Sequence, residues 1–175
     1  QVIRDQAIAF ANGDTDLATA KLRLRESLQR LDYRPEEGTE GTLVDLSSER
    51  RRELIVRMQT GLAQGAGRHQ ADQDPDRLDA VPAQELVRDR ASRVPRKWRR
   101  IWVDAGGRLF EGERMIALKN DPIWRRISRF GYPYPPFDYN SGMGLEDVLR
   151  PEAIALGLLA PDQDVQPEPL DLTAG

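Results

Sequence analysis

The sequence predicts an α+β fold, with a helical N-terminal half packed on a small, loop-rich C-terminal α+β subdomain. Leucines recur at helical spacing through the first 75 residues. After Asp74-Pro75, prolines and glycines divide the chain into short pieces. Those pieces are too short for a doubly wound sheet. The expected organisation is a helical region over 1–75, a small subdomain over 76–160 and an acidic, disordered tail over 161–175.

The first element read is a short helix over 1–12, closed by Asn12-Gly13. Asp14 or Thr15 would cap the next helix, about 15–32, where a side-chain oxygen accepts from an early backbone N–H. Leu17, Leu24, Leu28 and Leu31 form its apolar stripe, which Leu22 widens. A loop over 33–46 follows. Ser47 or Ser48 would then cap a third helix, with Leu54, Ile55, Met58 and Leu62 inward. Gly61, Gly65 and Gly67 would let its end fray, or let another backbone pack close.

In the second half, 84–91 reads as a strand and Pro95–Val103 as a helical turn. Gly106-Gly107 is a turn, with short extended pieces over 108–110 and 114–118. Asp121 and Pro122 open a further helical turn as cap and first residue. Residues 132–137 form a rigid polyproline-like run. Leu145–Val148 reads as a last strand, and 150–158 as a helix ending at Gly157. Residues 161–175 hold four acids, three prolines and no base, which suits disorder.

Composition excludes several functions. The 175 residues include no cysteine and one histidine, His69. Disulfides, thiolate metal sites and cysteine nucleophiles are therefore excluded, and histidine metal sites are disfavoured. No cofactor or metal is expected. No apolar run approaches the roughly 20 residues of a membrane span. The start at Gln1, with no signal pattern, reads as a fragment or a trimmed chain. The net charge of −3 hides a basic stretch, with seven bases and one acid from Arg88 to Arg100.

Three chemistries compete. Asp104 with Glu111, or Asp138 with Asp147, could form a hydrolytic carboxylate pair, as in a hydrolase or toxin-like nuclease. Such acids are far more often solvated surface. His69 lacks a nucleophile elbow, so it reads as structural. No residue is expected to be catalytic. Arg93, Arg96, Lys97, Arg99 and Arg100 could contact phosphates, with Trp98 and Trp102 stacking on bases. Four apart on a helix, the two tryptophans would equally share a core face. The segment 130–139 holds five of the eleven aromatics. It either seals a core or offers an assembly surface.

Several segments in order resemble a known family. They are Pro82-Ala83-Gln84-Glu85-Leu86-Val87-Arg88, Pro95-Arg96-Lys97-Trp98, Gly106-Gly107, Arg114 to Leu118, Asn120-Asp121-Pro122-Ile123-Trp124 and Pro135-Pro136-Phe137-Asp138-Tyr139-Asn140. Together they resemble the head-morphogenesis family of tailed bacteriophages, the minor head proteins of the phage Mu F type. That family's Cys-Arg-Cys ending is replaced here by Ser141-Gly142-Met143, and its Arg-Pro-x-His stretch carries no histidine.

The resemblance implies a structural, non-enzymatic protein of head assembly near the portal or inside the shell. It would be located in the virion and, during assembly, in the host cytoplasm. Portal and major capsid proteins would be its partners, DNA a further one, and no membrane would be involved. Asp121, Pro122, Trp124, Pro135, Pro136, Phe137 and Asn140, with Trp98 and Trp102, would be structural or assembly residues. The alternative is a small nucleic-acid-binding protein using the basic 93–100 segment.

Overall fold

The computed structural model describes residues 14–92 and 94–168, with Asp5 and Ala9. The expected helix over 1–12 therefore lies largely outside the described residues, as do Arg93 and the end of the tail from 169 on. The fold is α+β, with helices and a four-stranded antiparallel sheet. Two compact units divide the chain at Gln64 and Gly65, earlier than the expected boundary at 75. The division falls inside a helix that runs on to Asp72.

In the first unit, helix α1 (Leu17–Arg30) is capped by Asp16, whose carboxylate accepts from the Thr19 N–H at 2.9 Å. This moves the cap one or two residues from Asp14 or Thr15. The buried stripe is Ala20, Leu24 and Ser27, not a leucine row. Leu22 and Leu31 are 52% and 77% exposed. The small residues lie on the packed face, so the leucine spacing misassigned part of it. Helix α2 (Glu49–Asp72) begins at Ser48, whose hydroxyl accepts from the Arg51 N–H. Val56 packs with Ala20 and Leu24, and Lys21 pairs with Glu49 at 2.9 Å.

The second unit opens with the end of α2, which does not fray at its glycines. A Cβ on Gly65 would lie 2.1 Å from the Pro135 carbonyl oxygen, so glycine is what lets the two backbones meet. Asp74 caps the short helix α3 (Pro75–Ala80). Then come strand β1 (Ala83–Arg88), helix α4 (Trp98–Asp104), β2 (Leu109–Phe110), β3 (Arg114–Leu118), helix α5 (Ile123–Ile127), β4 (Met143–Val148) and helix α6 (Arg150–Ala155). Gly106, at φ +94°, ends α4. Pro122 takes the cap position of α5, one residue later than expected, and the Asp121 carboxylate before it accepts from the Ile123 N–H at 2.7 Å.

The sheet order is β2-β3-β1-β4. Side chains alternate across it. On one face Leu86, Met115, Ala117 and Met143 join Trp98, Trp102, Trp124 and Phe137 in an aromatic core. On the other face Ala83, Ile116 and Val148 join Ala153 and Leu159. Both faces are thus occupied, and β1 supplies both cores.

Of the segment expected as a disordered tail, residues 161–168 are described, and they make contacts with the second unit. Val165 packs on the second core. Arg150 donates to the carbonyls of Pro161 and Gln163, and Asn120 to that of Gln166. The Glu168 N–H donates to Gln73 Oε1 at 2.7 Å. Polar strapping by residues distant in sequence holds this acidic segment where its own composition predicts none.

Candidate functional site

The ladder between β1 and β3 is short. It pairs Ala83 with Leu118, Gln84 with Ala117 and Glu85 with Ile116, and stops there. Beyond that point β1 stays paired with β4 as far as Arg88 with Met143, while β3 pairs with β2. The two central strands therefore part. A groove of about 670 Å³ opens along Leu86–Arg88 on one wall and Gly112–Met115 on the other, with the start of α4 beside it. Leu86, Met115, Met143 and Trp98 supply apolar lining.

Arg88, Arg96, Lys97, Arg99, Arg100 and Arg114 also line the groove, against the acids Glu85 and Glu113. Four of these cations are already paired. Arg96 is held by Asp138 and donates to the Tyr139 carbonyl at 2.8 Å. Arg99 pairs with Glu113 at 2.8 Å, and Arg100 with Asp104 at 3.4 Å. Arg114 bridges Glu85 and Glu152, both at 2.7 Å, and their hydrogen bonds raise its pKa further. Among the described residues, Arg88 donates only to the Ser141 carbonyl, at 2.9 Å. Lys97 is exposed and has no acidic partner among the described residues.

The tryptophans do not serve as a stacking platform. Trp98 and Trp102 are 4% and 1% exposed, so their rings belong to the core. Trp102 meets Trp124 edge-on at 5.2 Å, and Trp124 stacks on Phe137 at 6.1 Å. Indole N–H groups usually find an acceptor when buried. Trp102 donates to the Arg108 carbonyl at 2.9 Å and Trp124 to that of Leu118 at 2.7 Å. The Trp98 Nε1–H is buried without a partner among the described residues.

The aromatic loop is divided between core and surface. Tyr134 and Phe137 are buried, and Pro135 and Pro136 are half-buried. Tyr132 and Tyr139 are exposed, as is Asn140 at φ +48°. Tyr132 stacks on Tyr134 at 5.4 Å, and Phe130 meets Tyr139 edge-on at 5.0 Å. These aromatic pairs give the exposed rings fixed positions.

The candidate carboxylates are all engaged by cations except Glu111, which is exposed. Asp138 is held by Arg96, and Asp104 by Arg100. Burial works to raise the Asp147 carboxyl, but Lys119, Arg68 and Arg77 hold it below the ordinary range. His69 is buried, with its ring 5.8 Å from Tyr134. Burial lowers its pKa, and its Nε2 has no partner among the described residues. No group of three metal-ligating side chains occurs among the described residues. No helix among them is long and apolar enough to cross a membrane.

Sequence reasoning found the basic half of the groove and the extended segments of its two walls, but not how they pair. The separation of β1 from β3 is a pairing event between segments about 30 residues apart, which local pattern does not encode. No family model, curated protein or solved structure matches the chain.

Proposed function

We propose that this chain is a structural and assembly component of a bacteriophage head, a minor head protein acting near the portal or inside the shell. One observation carries the reading. The segments that resemble the head-morphogenesis family converge in one aromatic core: Trp98 from the basic stretch, Trp124 from Asp121-Pro122-Ile123-Trp124, and Phe137 from the Pro-Pro segment. Fixed exposed tyrosines and a cationic groove beside that core suit protein contact. Portal and major capsid proteins are the proposed partners, and DNA a further one. The protein would reside in the virion and, before that, in the host cytoplasm. It would carry no catalytic residue or cofactor, because the carboxylates that could pair for hydrolysis are mostly taken up by arginine and lysine.

Mass spectrometry of particles purified after prophage induction tests this. The expected result is the chain at low, fixed stoichiometry with portal and major capsid proteins. Its absence from both mature particles and assembly intermediates would overturn the reading.

A further inference from the structure

In the first unit, charges that pair at one level of α1 and α2 oppose each other at the next. Lys21 on α1 meets Glu49 on α2, with its Nζ 2.9 Å from the carboxylate. One turn further along each helix stand Arg25 and Arg52. Positions three or four apart share a helix face, so the pair that joins the helices also brings these two cations to one side. Neither has an acidic partner among the described residues. Arg25 is exposed. Arg52 is half-buried, and its Nε is buried without a partner among the described residues.

Burial, and after it the Arg25 charge, lower the Arg52 pKa below the ordinary 12.5, and Glu49 and Asp45 offset this only in part. Both of those acids are engaged elsewhere. Glu49 is held by Lys21, and the Asp45 carboxylate accepts from the Gly41 and Ser47 N–H groups. The start of α2 adds the positive end of its dipole. Like charges held together without a counter-ion cost stability, and an anion between them removes that cost.

We infer that Arg25 and Arg52 form a site for a single phosphate group, carried as inorganic phosphate or on a small phosphorylated metabolite. Guanidinium groups fork onto phosphate oxygens through parallel N–H bonds, and two of them match a phosphate dianion in charge. A polynucleotide fits less well, because its phosphates need a continuous cationic track. Here Glu26 follows Arg25, and Glu49 and Glu53 flank the arginines of α2. The inference is independent of the assembly reading, since particles can contain the chain whether or not it binds phosphate.

The test is titration of the full chain, followed by thermal melting and amide NMR. The probes are sodium phosphate, adenosine 5′-monophosphate and an oligothymidylate without terminal phosphates, with sodium chloride at matched ionic strength as the reference. The expected result is a saturable rise in melting temperature with phosphate that chloride does not give, and shifted Arg25 and Arg52 resonances. Tighter binding of the nucleotide than of phosphate would identify a phosphorylated metabolite as the source, and equal binding free phosphate. Arg25→Gln should weaken phosphate binding roughly fivefold or more. The same variant should melt higher than the parent chain in chloride, because the repulsion is gone. General stabilisation by phosphate as a solute would persist in it. Arg25 is exposed and unpaired, so the variant should fold normally, which circular dichroism checks. No saturable response, a response unchanged in Arg25→Gln, lower stability of Arg25→Gln in chloride, or tighter binding of the oligothymidylate than of phosphate would each overturn the inference.

Discussion

Lys119, at the end of β3, reaches past β1 to Asp147 on β4, with its Nζ 3.1 Å from the carboxylate. The same ammonium lies 3.1 Å from Asp72, which closes α2. Lys119 and Asp72 are both buried, and Arg68 and Arg77 complete the cluster at its edge. Removing one member of a buried charge group leaves the others uncompensated. Lys119→Met should therefore destabilise the second unit by about 3–5 kcal/mol. Adding Asp72→Asn should recover part of that loss. Urea denaturation of the single and double variants measures both, and strict additivity would contradict the coupling.

Trp124 should be the most sensitive aromatic position. Its ring is fully buried, stacked on Phe137 and tied to the Leu118 carbonyl. Trp124→Ala should cost about 3–5 kcal/mol through the cavity it leaves. An unchanged melting temperature would remove Trp124 from the core.

Two glycines of α2 should respond in opposite directions. Gly65→Ala would drive a Cβ into the Pro135 carbonyl and the Tyr134 ring, and should lose about 1–3 kcal/mol or more. At Gly67 nothing lies within 4 Å. Gly67→Ala should gain about 0.5–1 kcal/mol from helix propensity alone. Thermal melts of the two variants side by side check the contrast, and equal effects would contradict the close approach at Gly65.

His69 sets a pH window. Burial lowers its pKa in the folded state below the ordinary 6.5. Below that value the unfolded chain takes up the proton more readily. The contribution is therefore complete above about pH 6.5 and is lost as pH falls through the lower, folded value. The melting temperature should drop between about pH 8 and pH 5, and His69→Gln should flatten the drop. Asp147, with its pKa lowered from 3.8, acts in a more acidic window. An identical pH profile in His69→Gln would exclude the histidine as the cause.

The legible parts of the sequence were local ones. Trp98 and Trp102, four apart, gave the core face of α4. Asp121 and Pro122 gave the start of α5, and Arg114 to Leu118 a strand. What escaped was non-local. Lys119 in Leu-Lys-Asn-Asp-Pro reads as an exposed turn residue, and its two acidic partners lie 47 and 28 positions away. Glycine spacing left fraying or a close backbone as alternatives for the end of α2; the approach is the one found, at Gly65, but its partner Pro135 lies 70 positions away. The basic stretch was plain in the sequence, but its neutralisation by Asp138, Glu113 and Asp104 depended on the fold.

Because β1 feeds opposite cores from alternate residues, its alignment is self-checking. A slip by one position would bring Glu85 to the tryptophans in place of Leu86, and a slip the other way would bring Gln84 to the place of Ala83. A carboxylate would be driven into one core or an amide into the other. Misaligned pairings are penalised in both directions, so a short sheet of uneven strands can still settle on one arrangement.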